Sequence, residues 1–293
     1  RRFDSGLSLH IFIMKIGIVG LGFVGNALLT GIKKNVEIIK IDPKLGTDIN
    51  NLISFKPKFV FVCVPTPMNQ EGGQDISILN DIFNLLNKAK LDSTIVLKST
   101  VTPDNLEVLS KKIEFVYNPE FLREKNAEHD FINGKIILFG GRNDLCVKVS
   151  EFYKEHTFCK EKNHFFTDQI SASIIKYSIN SFLATKVIFF NQLKSIFDES
   201  DAKIDWEHFI QIISSDIRIG SSHMNVPGHD GRKGFGGACF PKDISALKNF
   251  STKIGVDFSL IEQVIKINNQ IRSVYNDPMK REIEQNISFK KEE

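Results

Sequence analysis

Between Lys15 and Phe139 short apolar runs alternate with polar or amphipathic segments. That alternation restricts the chain to βαβ units built around a buried parallel sheet. The expected strands are Lys15–Val19, Val36–Ile41, Phe59–Val64, Thr94–Lys98, Phe115–Tyr117 and Ile136–Phe139, with helices at Val24–Lys33, Ile76–Lys90, Asp104–Lys111 and Asp144–His156. From Thr167 to Ser200 the pattern changes. Ile170, Ile174, Tyr177, Leu183, Val187, Phe190 and Leu193 recur at helical spacing, with no proline or glycine to stop them. A helix of about 30 residues runs ~45 Å, long enough to pass between domains or subunits. Further helices are expected at Trp206–Ser214, Lys242–Phe250 and Leu260–Val274, and the irregular stretch Gly220–Gly237 is too long for an idle connector. The fold class is therefore α/β: a sheet domain over residues 14–165, then an all-helical domain over 166–293 with one long helix.

A chain of 293 residues, 42% hydrophobic and 25% charged, is an ordinary globular protein of about two domains rather than a disordered chain or a coiled-coil rod. Its net charge of +3 is spread along the chain, which leaves no nucleic-acid stripe. Cys63, Cys146, Cys159 and Cys239 have neither disulfide-framework density nor zinc-ligand spacing, so a reducing, cytoplasmic setting and no metal are expected. The apolar stretch Leu7–Met14 is too short to cross a membrane and has no cleavage site, so neither membrane insertion nor a signal peptide is expected. Residues 1–13 read as dispensable, with Met14 a plausible start.

Gly20-Leu21-Gly22-Phe23-Val24-Gly25 follows the first strand and opens a helix, the context a dinucleotide fingerprint requires. Gly20 makes the tight turn, Gly22 lets the backbone approach a pyrophosphate, and Gly25 allows close helix–strand packing. Asp42 ends the next strand, where a carboxylate accepts from ribose hydroxyls and repels a 2′-phosphate, favouring NAD over NADP. Glycine turns without a ligand, or FAD, are the other readings. Val64-Pro65-Thr66-Pro67 and Lys98-Ser99-Thr100 sit at strand ends, where open α/β sheets bind ligands, though each is also an ordinary turn.

In the second half Lys176 and Asn180 share a face of the long helix; the lysine either has its charge satisfied there or snorkels to solvent. In Gly234-Phe235-Gly236-Gly237-Ala238-Cys239-Phe240-Pro241-Lys242-Asp243, Pro241 fits a first helical turn. Cys239 then lies just ahead of free backbone N–H groups that stabilise a thiolate, unless it is a buried structural cysteine. Glu120 and Glu124 in Tyr117-Asn118-Pro119-Glu120-Phe121-Leu122-Arg123-Glu124 are either a base with electrostatic support or capping and surface ion-pair residues.

Taken in order, GLGFVG, VPTP, KST, NPEFLRE, the KYSINSFLATK helix, DIRIG and GFGGACFPKD resemble the UDP-glucose/GDP-mannose dehydrogenase family over about Met14 to Lys280. The resemblance implies a Rossmann NAD-binding domain followed by a helical central domain that dimerises through the long helix. It implies a four-electron oxidation of a nucleotide-sugar C6 alcohol to a carboxylate with two NAD⁺, UDP-glucose to UDP-glucuronate foremost, and with it uronic-acid polysaccharide synthesis. Under it Cys239 forms a thiohemiacetal and then a thioester. Lys176 stabilises oxyanionic character, Asn180 donates a hydrogen bond and Asp243 orients the reacting groups. Glu120 activates water, with Glu124 and Thr100 holding the network. The cofactor residues would be Gly20, Gly22, Phe23, Val24, Gly25, Asp42, Val64, Pro65, Thr66, Thr100 and Glu124. The substrate residues would be Phe121, Leu122, Arg123, Lys176, Asn180, Gly236 and Cys239, with Arg218 reaching the neighbouring subunit's substrate.

Three departures accompany the resemblance. The family's C-terminal nucleotide-sugar domain has no counterpart in this sequence, so a separate partner supplying it is one expectation. Val226-Pro227-Gly228-His229-Asp230-Gly231-Arg232-Lys233 is longer and more polar than usual, and His229, Arg232 and Lys233 either contact phosphates or belong to a mobile solvated loop. Ser173 and Gln192 stand where the family often has glutamates, and Lys125 replaces a glycine. The rival readings are a β-hydroxyacid dehydrogenase with a single hydride transfer, which has no use for Cys239, and a non-catalytic, truncated NAD-binding protein.

Overall fold

The computed structural model describes residues 13–290, so nearly all of the Leu7–Met14 stretch lies outside the described residues. The chain forms two compact units. One comprises the residues up to Val64 with Asp81–Ser99 and Ser110–Gln169; the other comprises Pro65–Asn80, Thr100–Leu109 and the chain from Ile170 on.

The first unit is built on seven strands: β1 (Met14–Val19), β2 (Val36–Ile41), β3 (Phe59–Val62), β4 (Thr94–Leu97), β5 (Val116–Tyr117), β6 (Leu138–Gly140) and β7 (Phe165–Thr167). They lie in the order β2-β1-β3-β4-β5-β6-β7. All four residues of β3 are buried, which is why the strand is continuously apolar: a central parallel strand has both faces covered. The helices in chain order are α1 (Phe23–Gly31), α2 (Asn50–Phe55), α3 (Ser77–Ala89), α4 (Pro103–Ser110), α5 (Ala127–Asn133), α6 (Asn143–His156), α7 (Gln169–Asp198), α8 (Trp206–Ser214), α9 (Phe240–Lys253), α10 (Ser259–Arg272) and α11 (Lys280–Glu284).

The sheet departs from the all-parallel expectation at one pair. β5 and β6 are antiparallel through Tyr117 and Gly140. The connection between them holds only a 3₁₀ turn and the short α5, so the chain turns back where β5 ends instead of crossing the sheet. The longer α6 then provides a crossover, and β6 and β7 are parallel. β7, α2, α5 and α11 were not expected from the sequence; each is seven residues or shorter and carries no resolvable periodicity. The core of this unit packs Ile16, Ile18, Leu28, Phe61, Val96 and Phe139 with Phe152 and Tyr153 of α6. Phe59 and Phe152 meet with ring centroids 5.1 Å apart.

In the second unit α7 runs for 30 residues without a break. Its Ala184 and Ile188 pack with Phe235, Ile244, Ile261 and Val264, which joins α7 to α9 and α10. Residues 65–80 bring a small turn onto this unit. Met68 bridges Gln74, and Ser245 Oγ of α9 donates to the Gly72 carbonyl at 2.7 Å.

Candidate active site

The glycine turn of the first unit has the geometry its spacing demands. Gly20 sits at φ +88, where a side chain is strained, and a Cβ on it would lie 3.0 Å from the Cys63 backbone. A Cβ on Gly25 would lie 2.0 Å from the Gly20 carbonyl oxygen, so this position admits hydrogen alone. Gly22 caps α1 without a side-chain partner, and nothing lies within 4 Å of where its Cβ would be. The start of α1 therefore presents unpaired backbone N–H groups beside an open approach, the cradle a pyrophosphate fits. Leu21 N donates to Asp42 Oδ2 at 2.8 Å and Lys44 N to Oδ1 at 3.0 Å, so the carboxylate is held beside the turn with one lone pair per oxygen to spare for ribose hydroxyls. Phe23 and Val24 are half-buried in the first turn of the helix. Val64 is buried at the end of β3, its carbonyl accepting from Ser99 Oγ at 2.6 Å.

Glu120 belongs to a buried cluster in the same unit that the sequence did not reveal. Lys98, 1% exposed, places its ammonium 2.9 Å from Glu120 Oε2, 2.8 Å from Asn118 Oδ1 and 2.9 Å from the Tyr153 hydroxyl. Tyr153 in turn donates to Asn118 Oδ1 at 2.7 Å, and Phe121 N donates to Glu120 Oε1 at 3.1 Å. Burial works to lower the Lys98 pKa, but Glu120, Tyr153 and Cys63 outweigh it and raise it, so the lysine is a fixed cation. The signal for it was a lysine ending an apolar strand, a place where its charge must find partners. Glu124 is exposed at the start of the 3₁₀ turn Glu124–Asn126, so the two carboxylates occupy different environments. Phe121 and Leu122 are half-buried. Arg123 grips Asp130 with Nε at 2.8 Å and Nη2 at 2.7 Å.

The second unit assembles the residues expected to act on substrate. Lys176 is buried and donates to Asn180 Oδ1 at 3.3 Å, so its charge does not snorkel away. Asn180 Nδ2 donates to Asp243 Oδ2 at 2.6 Å, and Lys242 Nζ lies 2.5 Å from Asp243 Oδ1. Burial works to lower the Lys242 pKa, while Asp243 and Cys239 together raise it above the usual lysine value. Lys242 stands within the GFGGACFPKD run, but its spacing carries no sign of this pairing, which only the fold reveals. Cys239 is the N-cap of α9 with Pro241 in the first turn, and its carbonyl accepts the first helical bond from Asp243 N at 2.9 Å.

The other three cysteines are of a different kind. Burial pushes Cys63 up to about 12 against the opposing Lys98, burial pushes Cys146 up to about 11, and Cys159 is raised by burial as well. All three are buried, while Cys239 is half-buried at a helix start, where reactive thiols are found.

Of the remaining residues in this unit, Thr66 Oγ1 donates to the Thr100 carbonyl at 2.9 Å, and Thr66 shares a small hollow with Gln74 and Lys242. Pro65 is exposed and Thr100 half-buried. Arg218, 86% exposed at its side chain, chelates Asp216 through Nε and Nη2. Ser173 Oγ donates to the Val101 carbonyl at 2.7 Å. The loop from Val226 is tied down: Arg232 pairs with Asp277 at 2.7 Å and lies over the Tyr275 ring at 5.1 Å, and Lys233 N donates to the Tyr275 hydroxyl at 3.0 Å. Among the described residues no cluster of His, Cys, Asp or Glu could hold a metal, and no helix is long and apolar enough to cross a membrane.

Comparison with known protein families gives two matches. Residues 44–157 match the NAD binding domain of the UDP-glucose/GDP-mannose dehydrogenase family, and residues 170–270 match its central domain. The chain belongs to this family. Family membership makes NAD the cofactor, and the glycine cradle with Asp42 fits it. A UDP-glucose 6-dehydrogenase of Rickettsia felis is 32% identical over 232 residues, covering 76% of this chain and 50% of the relative. One from Bacillus subtilis is 29% identical over 310 residues, covering 90% of this chain and 68% of that protein. Among solved structures, a UDP-glucose dehydrogenase of Pyrobaculum islandicum shares the fold at a TM-score of 0.70 and 21% identity, over 88% of this chain and 68% of that one. A UDP-D-ManNAc dehydrogenase from Pyrococcus horikoshii matches at a TM-score of 0.70 and 16% identity, over 89% of this chain and 69% of that one. The chain spans about half the length of the first curated relatives it matches.

Proposed function

We propose that the chain carries the catalytic part of an NAD-dependent nucleotide-sugar 6-dehydrogenase, with UDP-glucose as substrate and UDP-glucuronate as product. The observation that carries this reading is the relay Lys176–Asn180–Asp243–Lys242 beside the thiol that heads α9. Four polar side chains, two from α7 and two from the first turn of α9, stand with a cysteine, a set that suits covalent catalysis and not hydride transfer alone.

Bound NAD would supply a hydride acceptor for each of two oxidations; Gly20, Gly22, Gly25 and Asp42 would hold it. The first oxidation converts the C6 alcohol to an aldehyde. The Cys239 sulfur then adds to the aldehyde carbon, forming a C–S bond and leaving negative charge on oxygen. Lys176 holds that charge electrostatically, Asn180 donates to the same oxygen, and Asp243 keeps both aligned through its own contact with Asn180. The second oxidation turns the thiohemiacetal into a thioester. Water attacks the thioester carbon, Glu120 takes the water's proton, and the C–S bond breaks to return the thiol and a carboxylate. Lys98 would keep the Glu120 carboxylate in one place through this step.

A homodimer through α7 belongs to the same proposal. Ile175, Phe182, Phe189 and Ile196 recur every seven residues on α7 and are exposed by 39%, 69%, 59% and 67%. A stripe of that spacing suits a second copy of the helix.

The deciding experiment is the NADH yield per sugar with limiting UDP-glucose, alongside GDP-mannose, UDP-N-acetylglucosamine and UDP-N-acetylmannosamine. Two NADH per UDP-glucose, lost or stalled in Cys239→Ser, is the expected result. One NADH per sugar, or an unaffected Cys239→Ser variant, refutes the covalent route, and a full yield from another sugar with none from UDP-glucose refutes the substrate.

A further inference from the structure

Three of the five residues ahead of Cys239, Gly234, Phe235 and Gly237, are held by side chains from three separate helices. Gly234 N donates to Asn191 Oδ1 of α7 at 2.9 Å. Phe235 is clasped on both sides by Asn268 of α10, its N–H donating to Oδ1 at 2.7 Å and its carbonyl accepting from Nδ2 at 3.0 Å. Gly237 N donates to Glu282 Oε1 of α11 at 3.0 Å. Gly234 and Gly237 both have positive φ, +73 and +77, so this backbone has a shape that side chains do not favour and needs an external hold.

The hold is electrostatic at its centre. Glu282 and Arg272 are each 1% exposed and pair at 2.9 Å, with Arg272 Nη1 also 2.7 Å from Asp230 Oδ2. Glu282 Oε2 accepts from Met279 N at 2.8 Å, so both carboxylate oxygens are engaged. The pair lies directly on the turn. A Cβ on Gly236 would come within 2.1 Å of Arg272 Nη2 and 2.4 Å of Glu282 Oε1. Replacing a buried ion pair by apolar residues of like volume is often neutral or stabilising, so stability alone is a poor reason for this one. Its use is geometric: a rigid, charged fork accepts a backbone N–H two residues before the thiol.

We propose that Glu282 and Arg272 are positioning residues for Cys239, fixing the Gly236–Gly237 turn that delivers the thiol to the start of α9. The segment Lys280–Glu284 is then part of the support of the reaction centre rather than a connector. This rests on the reading of Cys239 as nucleophile.

The test compares Glu282→Gln, which keeps an acceptor for Gly237 N, with the double variant Arg272→Met/Glu282→Leu, which removes both charges and keeps apolar volume. Folding is checked by circular dichroism. The readouts are the pH profile of Cys239 alkylation by iodoacetamide, NAD affinity, and kcat and KM with UDP-glucose. In the folded double variant kcat falls about 100-fold, the loss that a displacement of about 1 Å produces. Cys239 alkylation at neutral pH slows about tenfold as the thiol leaves the helix N-terminus. NAD affinity stays unchanged and Glu282→Gln falls between. A folded double variant with the wild-type alkylation profile and kcat overturns the proposal.

Amide exchange on the unaltered protein decides the matter if either variant fails to fold. The Gly234, Phe235 and Gly237 amides must exchange as slowly as the interior of α7, and exchange at open-loop rates refutes the clamp. Full turnover by Cys239→Ser would instead sink the nucleophile reading, while the alkylation profile would still report whether the clamp positions the thiol.

Discussion

Replacing Lys98 by methionine tests whether the buried cluster around Glu120 is an electrostatic anchor or a packing coincidence. In the native protein the ammonium sits within 3 Å of three acceptors, Glu120, Asn118 and Tyr153. Lys98→Met leaves the aliphatic volume nearly intact and removes the cation, stranding the carboxylate. Breaking a buried pair by deleting one partner costs about 3–5 kcal/mol. The Glu120 side chain is 14% exposed and regains some water, and Asn118 and Tyr153 keep each other, so the lower end, about 3 kcal/mol, is the appropriate figure. For a unit of this size each kcal/mol moves the melting temperature by about 2–4 °C, giving a drop of about 6–12 °C.

Two compact units need not unfold together, so the assay is calorimetry following the transition that NAD raises, since NAD stabilises only the unit it binds. Burial opposes the charge on Lys98 but Glu120 and Tyr153 outweigh it, so its pKa is raised by folding. The stabilisation is then fully present below the ordinary lysine value of about 10.4 and is lost only as pH rises past it, so the deficit should hold steady from about pH 6 to 9. The double variant Lys98→Met/Glu120→Leu should recover most of the loss. A single variant melting within about 2 °C of the unaltered protein, or a double variant melting below the single one, would refute the reasoning.

Gly25→Ala places a methyl 2.0 Å from the Gly20 carbonyl oxygen and should abolish NAD binding by calorimetric titration; retained affinity would mean the turn is not the cofactor site. Asp130 is held down to about 2, chiefly by its hydrogen bond to Arg123, so its stabilisation is present above the ordinary aspartate value and is lost as pH falls from about 4 toward 2. Arg123 is mostly exposed, which discounts the effect to about 1 kcal/mol. Asp130→Asn should be less stable by that amount at pH 7, and the gap should close in acid when urea titrations are compared. Phe182→Asp with Phe189→Asp puts charges in the middle of the α7 stripe and should turn a dimer into a monomer by light scattering, without loss of helical content. An unchanged mass would exclude this face as the dimer contact.

Much of the first unit was legible in the sequence, because parallel strands and amphipathic helices write their burial into local periodicity. Six strands and the long helix fall within two residues of where the pattern places them. The same holds for the glycine turn and for Pro241 in the first turn of α9, since a tight turn and a helix start each constrain residues within a few positions. Other features had no local signature. The antiparallel β5–β6 pair depends on where a connection returns, and residues 65–80 and 100–109 join the helical unit without any shift in composition.

The chemistry divides in the same way. Sequence alone determined which residue types the chain brings to a site: the dinucleotide glycines, Asp42, a thiol at a helix start, and a lysine and asparagine one turn apart. Tertiary structure decided what those groups face. Lys98 finds Asn118, Glu120 and Tyr153 across 20 to 55 residues of chain, and Glu282 reaches Gly237 across 45. Pairings at that separation leave no trace in spacing, because they are chosen by which helices and strands pack together and by the cost of leaving a buried charge without a partner.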